Sequence, residues 1–319
     1  MPHERRARLA LLVLGLLALG AILAFMTLGA RGNWGFVLPF RGRKLLGLLL
    51  VGHAVACSTV LFQTVTANRI LTPAIMGFDS LFVLCSTVLV ALFGSAAVAG
   101  LDPRLVFGLN VMLMVGASMA LYLWLFGGEE RSLHRLLLIG VVFGIFLRML
   151  AEFVQRLLDP NEFMVLSDIL FASFGTIPPT LLGIAVAAVA GVTLWLVPRL
   201  SRLDVIALGR PVAVNLGIRW RAEVLSVLAA VSVLVAVSAA LVGPVLFFGL
   251  IAASLAHLAV GQSAHRYLLP AASLVGIIML VGGQTVLERV FAFNTALGIL
   301  VEFAGGITFI ALLIGKGRR

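Results

Sequence analysis

Arg148 and Glu152 stand four residues apart in an otherwise apolar run, and Asp79 and Glu302 are single carboxylates close to two others. Ionisable groups in such runs mark substrate pathways, proton relays or ion pairs, because an unpaired charge in an apolar medium is costly. At this spacing Arg148 and Glu152 share one helix face and can pair there. Their run begins near Leu133, so at about 1.5 Å per residue both lie toward its far end, the place of an interfacial ion pair. Nucleophilic or metal chemistry needs more. His53, His134, His257 and His265 fall in different segments, with no HExxH and no close His/Cys/Asp set at metal-ligand spacing. Cys57 and Cys85 both sit inside apolar runs, so no disulfide framework or CxxC metal pair can be built from them. No Ser/His or Asp/Asp constellation converges at one depth. There is no GxxxxGK[ST] phosphate loop either, since Gly315-Lys316 is followed by Gly317. The expectation is a chain with no catalytic residue, no metal and no bound cofactor of its own; any ATP and magnesium belong on another polypeptide.

The elements that position these residues follow from composition. The chain is 62% hydrophobic and 11% charged, with a mean hydropathy of +1.17, against roughly 25% charged residues in a soluble domain. Backbone groups in hydrocarbon must be satisfied internally, by helices or a closed barrel. The apolar runs have the length of membrane-crossing helices, and the short alternating pattern of barrel strands is absent. The expected fold class is an all-α polytopic membrane protein in one transmembrane domain, residues 1–319. It has ten spans at about 9–30, 45–66, 79–99, 104–126, 133–157, 178–197, 222–242, 245–260, 267–287 and 295–315. The first run is too long for a cleavable leader and is read as a retained helix. Gly243-Pro244 allows a tight turn before a short eighth span. The stretch 159–178 is too polar to cross and too apolar for a plain loop, so a short helix at a surface or along a cavity is expected.

Ten spans put both termini on one side, and Lys/Arg bias selects the cytoplasm. Of the 23 lysines and arginines, all fall on that side except Arg31, Arg41, Arg43, Lys44, Arg104, Arg148, Arg156 and Arg289. The net charge of +10 is therefore a matter of topology, and the polybasic stripes with interleaved aromatics of a nucleic-acid binder are absent. The cluster Arg31, Arg41, Arg43 and Lys44 opposes the bias, so either the other loops set the topology or the cluster has an acidic partner outside. The longest polar stretch, Pro198–Arg221, is expected to form a short helix through Ala213, capped by Ser201 or Asp204. Its apolar Val205, Ile206, Leu208, Val212, Ala213 and Leu216 need a surface to bury against.

Here a resemblance becomes specific. Leu208-Gly209, Ala213 and Leu216-Gly217 match the LGxxxAxxLG coupling loop of FecCD-type permeases, importers of iron–siderophores, haem and vitamin B12. The stretch 52–80 is similar to the family's G…LLQ…N…P…G signature, with Gln63, Asn68, Pro73 and Gly77 at the matching positions. Gly243-Pro244 with Phe247, Gly249 and Leu250 resembles GPxxFxGL, although the continuation PHxxR is replaced by Ala253, Ser254 and His257. The basic R-L-P-R stretch before the second span appears as Arg41-Gly42-Arg43-Lys44, without the proline, and Ala304–Phe309 resembles the last span.

The resemblance implies a type II ABC importer permease, with Asp204, Leu208, Gly209, Ala213, Leu216 and Gly217 coupling it to an ATPase. Arg41, Lys44 and Arg289 would dock acidic groups of a periplasmic siderophore-binding protein. Gln63 and Asn68 would stand at an inner gate, and Phe171 and Ser173 at an outer one. TANRILTPAIMGFD and LLDPNEFMVLSDILFASFG look closest to catechol-type siderophore permeases that work beside a second, different permease. That implies a heterodimer with two ATPase chains in the inner membrane. An ion-coupled secondary transporter would instead show inverted repeats or paired broken helices, and an intramembrane enzyme a convergent catalytic set; neither pattern is visible.

Overall fold

The computed structural model describes residues 2–29, 32, 34–125, 133–170, 174, 177–289, 298 and 307. The tenth expected span with Glu302, the outer-gate residues Phe171 and Ser173, and the side chain of His134 therefore lie outside the described residues.

Every one of the first nine expected spans is helical. In chain order the helices are α1 (Pro2–Thr27), α2 (Trp34–Thr66), α3 (Asp79–Phe93), α4 (Ser95–Gly100), α5 (Pro103–Leu125), α6 (Leu133–Gln155) and α7 (Pro160–Leu170). They continue as α8 (Pro179–Leu196), α9 (Leu200–Ile206), α10 (Arg210–Asn215), α11 (Trp220–Val242), α12 (Phe248–Val260) and α13 (His265–Arg289). Among the described residues, 8 helical stretches are long and apolar enough to cross a membrane, and α12, with 13 residues, is the short eighth span. The stretch 159–178 supplies the short helix α7.

Burial shows which helices face what. The apolar window of α11 is 72% buried and that of α2 67%, whereas that of α1 is 11%. A helix hydrophobic all round belongs in the core of a large or membrane-embedded bundle, and α2 and α11 occupy that place, with α13 packed on α2. The outer helix α1 turns Leu9, Leu12, Leu16 and Leu23 outward. A continuous apolar face of this kind would aggregate in water and is stable in lipid.

Lipid tails are as apolar as leucine, so helices in a membrane are held by close packing of small residues and by interhelical hydrogen bonds. Gly52 of α2 lies against the backbone of Gly276 in α13. The Gly140/Gly144 pair of α6 receives Met76 and Gly77 of a π-helical turn, Ala74–Phe78, that leads into α3. The turn follows Pro73, and Gly77 takes φ 101° within it.

Three boundaries differ from expectation. The second span is a helix from Trp34, because Arg41–Lys44 continue it instead of ending it; Arg41 reaches back to the C-terminus of α1. The third expected segment, 79–99, stops at Phe93, where Gly94 adopts φ 77° and the six-residue α4 follows. Glu162 of α7 accepts a hydrogen bond from the Ser95 N–H, so the first turn of α4 is closed by a carboxylate from another helix. The single helix expected within Pro198–Arg221 is two.

Candidate functional site

Between α8 and α11 the chain runs through a 3₁₀ turn, Val197–Arg199, directly into α9, so no N-cap is needed and Ser201 and Asp204 do not serve as one. The helix ends at Ile206, Gly209 takes φ 95°, and α10 starts again with Pro211 in its first turn. Gly217, at φ 81°, turns the chain toward α11. Glu223 at the start of α11 holds Arg199 Nε at 3.8 Å and Arg202 Nη1 at 3.5 Å. The Arg199 guanidinium also lies 4.0 Å over the Trp195 ring, so the base of the segment is fixed to α8 and α11.

The apolar residues of this segment divide into two groups. Leu203, Ile206 and Ala213 are fully buried against the bundle and hold the segment's shape. Leu208, Val214 and Leu216 are 63%, 50% and 62% exposed and form an apolar surface. Sequence alone could not make that division, because it depends on the break at Gly209.

Above the segment opens a cavity of about 590 Å³ lined by Gln63, Thr64, Arg69, Asp204, Leu208, His257 and His265. Gln63 and Asn68 thus stand at the same end of the bundle as the segment. Gln63 is buried and donates through Nε2 to the Arg69 carbonyl at 2.7 Å, while Asn68 Oδ1 accepts from the Ile70 N–H at 3.0 Å. Together they shape the connection between α2 and the π-helical turn.

At the opposite end Arg41, Lys44 and Arg289 come together at one corner. Arg41 Nη1 donates to the carbonyls of Phe25 (2.9 Å), Met26 (3.1 Å) and Leu28 (2.9 Å), closing the C-terminus of α1, where a cation is favourable. Lys44 Nζ lies 2.6 Å from Glu288 Oε1, with side-chain exposures of 14% and 10%. Arg289 is exposed and rests against Gly29, and Arg43 is exposed. Removing one member of a buried pair leaves an uncompensated charge. Lys44→Met is therefore expected to lower the unfolding temperature of the purified chain, and Lys44→Met with Glu288→Gln to recover most of the loss.

Other ionisable residues within the apolar runs sit as follows. Arg148 and Glu152 form the expected pair on α6, at 3.5 Å. Asp79 stands in the first turn of α3, beside a small cavity shared with Ser58, Thr59, Thr72 and Ser238. His53 joins three helices through Ser273 and Thr193, each at 2.8 Å. Among the described residues no group of three or more His, Cys, Asp or Glu side chains could hold a metal ion. Sequence reasoning missed Glu288, Glu223 and the joint action of Thr64 and His265, because their partners are far away in the chain and no spacing announces them.

The described helices form a membrane-spanning bundle with a cavity at one end, beside a short helix pair that exposes apolar residues. The chain belongs to the FecCD transport family, whose profile matches residues 8–315. It is 44% identical over 319 residues to the petrobactin import system permease protein YclO of Bacillus subtilis, covering 99% of both chains. It is 30% identical to the petrobactin import system permease protein FatC of Bacillus anthracis, over 97% of this chain and 88% of that one. The vitamin B12 import system permease BtuC of Klebsiella pneumoniae is 28% identical, over 99% and 97%. Among solved structures, an inward-facing metal-chelate type ABC transporter shares the fold with a TM-score of 0.83 at 22% identity, covering 97% of this chain and 99% of that one.

Proposed function

We propose that this chain is one permease subunit of an inner-membrane ABC importer whose cargo is petrobactin or a similar ferric siderophore. The observation that carries the cargo is the 44% identity to a petrobactin import permease along the whole length of both chains. Both termini lie in the cytoplasm, in keeping with the Lys/Arg bias, and the chain forms a single transmembrane domain. Its companions are a second, different permease, two ATPase chains and a periplasmic siderophore-binding protein. The chain binds no cofactor and catalyses no reaction; nucleotide and magnesium stay on the ATPase. The exposed Leu208 and Leu216 sit in the ATPase cleft, over a segment whose shape Gly209, Ala213 and Gly217 maintain. Gln63 and Asn68 line the inner gate, and Phe171 and Ser173 belong to the outer one.

At the outer corner, Arg41 and Lys44 have partners within the chain, so the docking role falls mainly on Arg43 and Arg289. Charge reversal at both, Arg43→Glu with Arg289→Glu, is expected to weaken capture of the binding protein roughly tenfold, on the scale of about 1 kcal/mol for each exposed charge pair. The unfolding temperature should be unchanged, and the effect should shrink at high salt. Growth of a deletion strain on single ferric siderophores tests the cargo: loss of growth on petrobactin alone supports the assignment, and undiminished growth on it refutes it.

A further inference from the structure

One polar junction ties the α9–α10 segment to the helices around the inner opening. Asp204 Oδ1, on α9, accepts two hydrogen bonds from His265, from its backbone N–H at 2.8 Å and from Nδ1 at 2.6 Å. That backbone N–H is one of the unpaired donors at the start of α13, so the helix is capped by a carboxylate from a distant element. The same ring places Nε2 2.7 Å from Thr64 Oγ1 in the last turn of α2, and Thr64 Oγ1 lies 2.8 Å from the Val60 carbonyl. The His265 side chain is 2% exposed, and both of its ring nitrogens are engaged.

The proton arrangement is constrained. The Thr64 hydroxyl has one proton to give. If Val60 takes it, Nε2–H donates to Thr64 and the ring is an imidazolium facing a carboxylate. If Nε2 takes it, the ring is the neutral Nδ1–H tautomer. In both cases Nδ1 carries the proton that Asp204 accepts, so the link from α9 persists. On its other side, the end of α2 holds the gate connection. Gln63, next to Thr64, donates to the Arg69 carbonyl at 2.7 Å, and the Asn68 N–H donates to the Gln63 carbonyl at 3.2 Å.

We propose that Asp204, His265 and Thr64 are positioning residues that form a rigid strut, through which displacement of α9 moves the inner ends of α2 and α13 and opens the connection 67–73. Leu203 and Ile206 are fully buried, so close packing carries the push of α9 into the bundle. Hydrogen bonds weaken steeply with misalignment, so the Asp204–His265–Thr64 chain fixes which helix ends that push reaches. The proposal rests on the reading that this segment takes up the motion of an ATPase, and it names the residues that carry the motion onward.

The test uses the whole importer in lipid vesicles, measuring nucleotide hydrolysed and ferric siderophore moved. Asp204→Ala, which removes two hydrogen bonds, and Thr64→Val, which removes one, should each raise the nucleotide used per cargo moved by roughly tenfold, on the scale of the one or two hydrogen bonds lost, with the ATPase still copurifying. The double variant should be no worse than either single one, since a strut breaks once, and Thr64→Ser should keep the normal ratio. Hydrolysis and transport falling in parallel, an unchanged ratio, or losses that multiply in the double variant would each overturn the strut. If Asp204→Ala does not accumulate, the Thr64→Val ratio decides by itself. An unaltered chain that copurifies no ATPase would overturn the permease reading, and the strut with it.

Discussion

A chain carrying Leu208→Glu and Leu216→Glu is expected to reach the membrane folded and to lose its ATPase subunits during purification in mild detergent. Both side chains are more than 60% exposed on the α9–α10 segment, so the bundle itself does not depend on them. Burying a leucine against a partner contributes about 1.5–3 kcal/mol, so removing two weakens association by at least roughly 100-fold at about 1.4 kcal/mol per factor of ten. Two carboxylates placed in an apolar cleft add a desolvation cost. Uptake should vanish with assembly. Gly209→Val and Ala213→Leu are expected to abolish uptake and assembly too, by a different route. Gly209 sits at φ 95°, where a β-branched residue is strained, and the methyl of Ala213 is completely buried, so these changes deform the segment instead of altering its outer surface. Limited proteolysis at the α9–α10 connection separates the two routes: the glutamate variant should resist like the unaltered chain, and the deformed ones should be cut.

The second large effect is expected inside the membrane. Gly77→Val combines a residue disfavoured at φ 101° with a side chain that would overlap the backbone of Gly144, and backbone cannot move aside. Left-handed geometry alone costs about 1–2 kcal/mol, and overpacking typically adds about 1–3 kcal/mol. That is a large share of a total stability of roughly 5–15 kcal/mol. Gly144→Leu meets the same backbone from the other side and should do similar harm. Gly116→Ala and Gly191→Ala, with open space around them, are the matched controls. Fluorescence-detected unfolding in detergent should place both pocket variants well below the unaltered chain and both controls within a degree or two of it.

Much of this architecture is legible in the sequence, for a physical reason. Apolar run length sets helix count because hydrocarbon leaves the backbone no other partner. The helices up to α13 therefore fall where hydropathy puts them. Boundaries went astray where a side chain from elsewhere intervened. The basic stretch Arg41–Lys44 looks like a loop, yet it continues α2 because Arg41 finds carbonyls at the end of α1 and Lys44 finds Glu288. The 79–99 run looks continuous, yet Gly94 breaks it and Glu162 secures the next turn. The segment 198–221 was recognisable by its glycines and apolar residues. Its division into a buried face and an exposed face was not, because a turn of positive φ at Gly209 resets the helical phase between Ile206 and Ala213. Asp204 was expected to cap its own helix and instead caps α13, 61 residues away. Pairings across such distances leave no trace in local spacing.

As proposed, this chain supplies a passage and takes its motion from separate ATPase chains. The most direct measurement is uptake of ferric siderophore into vesicles containing the purified chain with its partner permease, with and without the ATPase chains and ATP. The account predicts accumulation only when the binding protein, the ATPase and hydrolysable ATP are all present. Concentrative uptake by the permease alone, driven by an ion gradient, would contradict it.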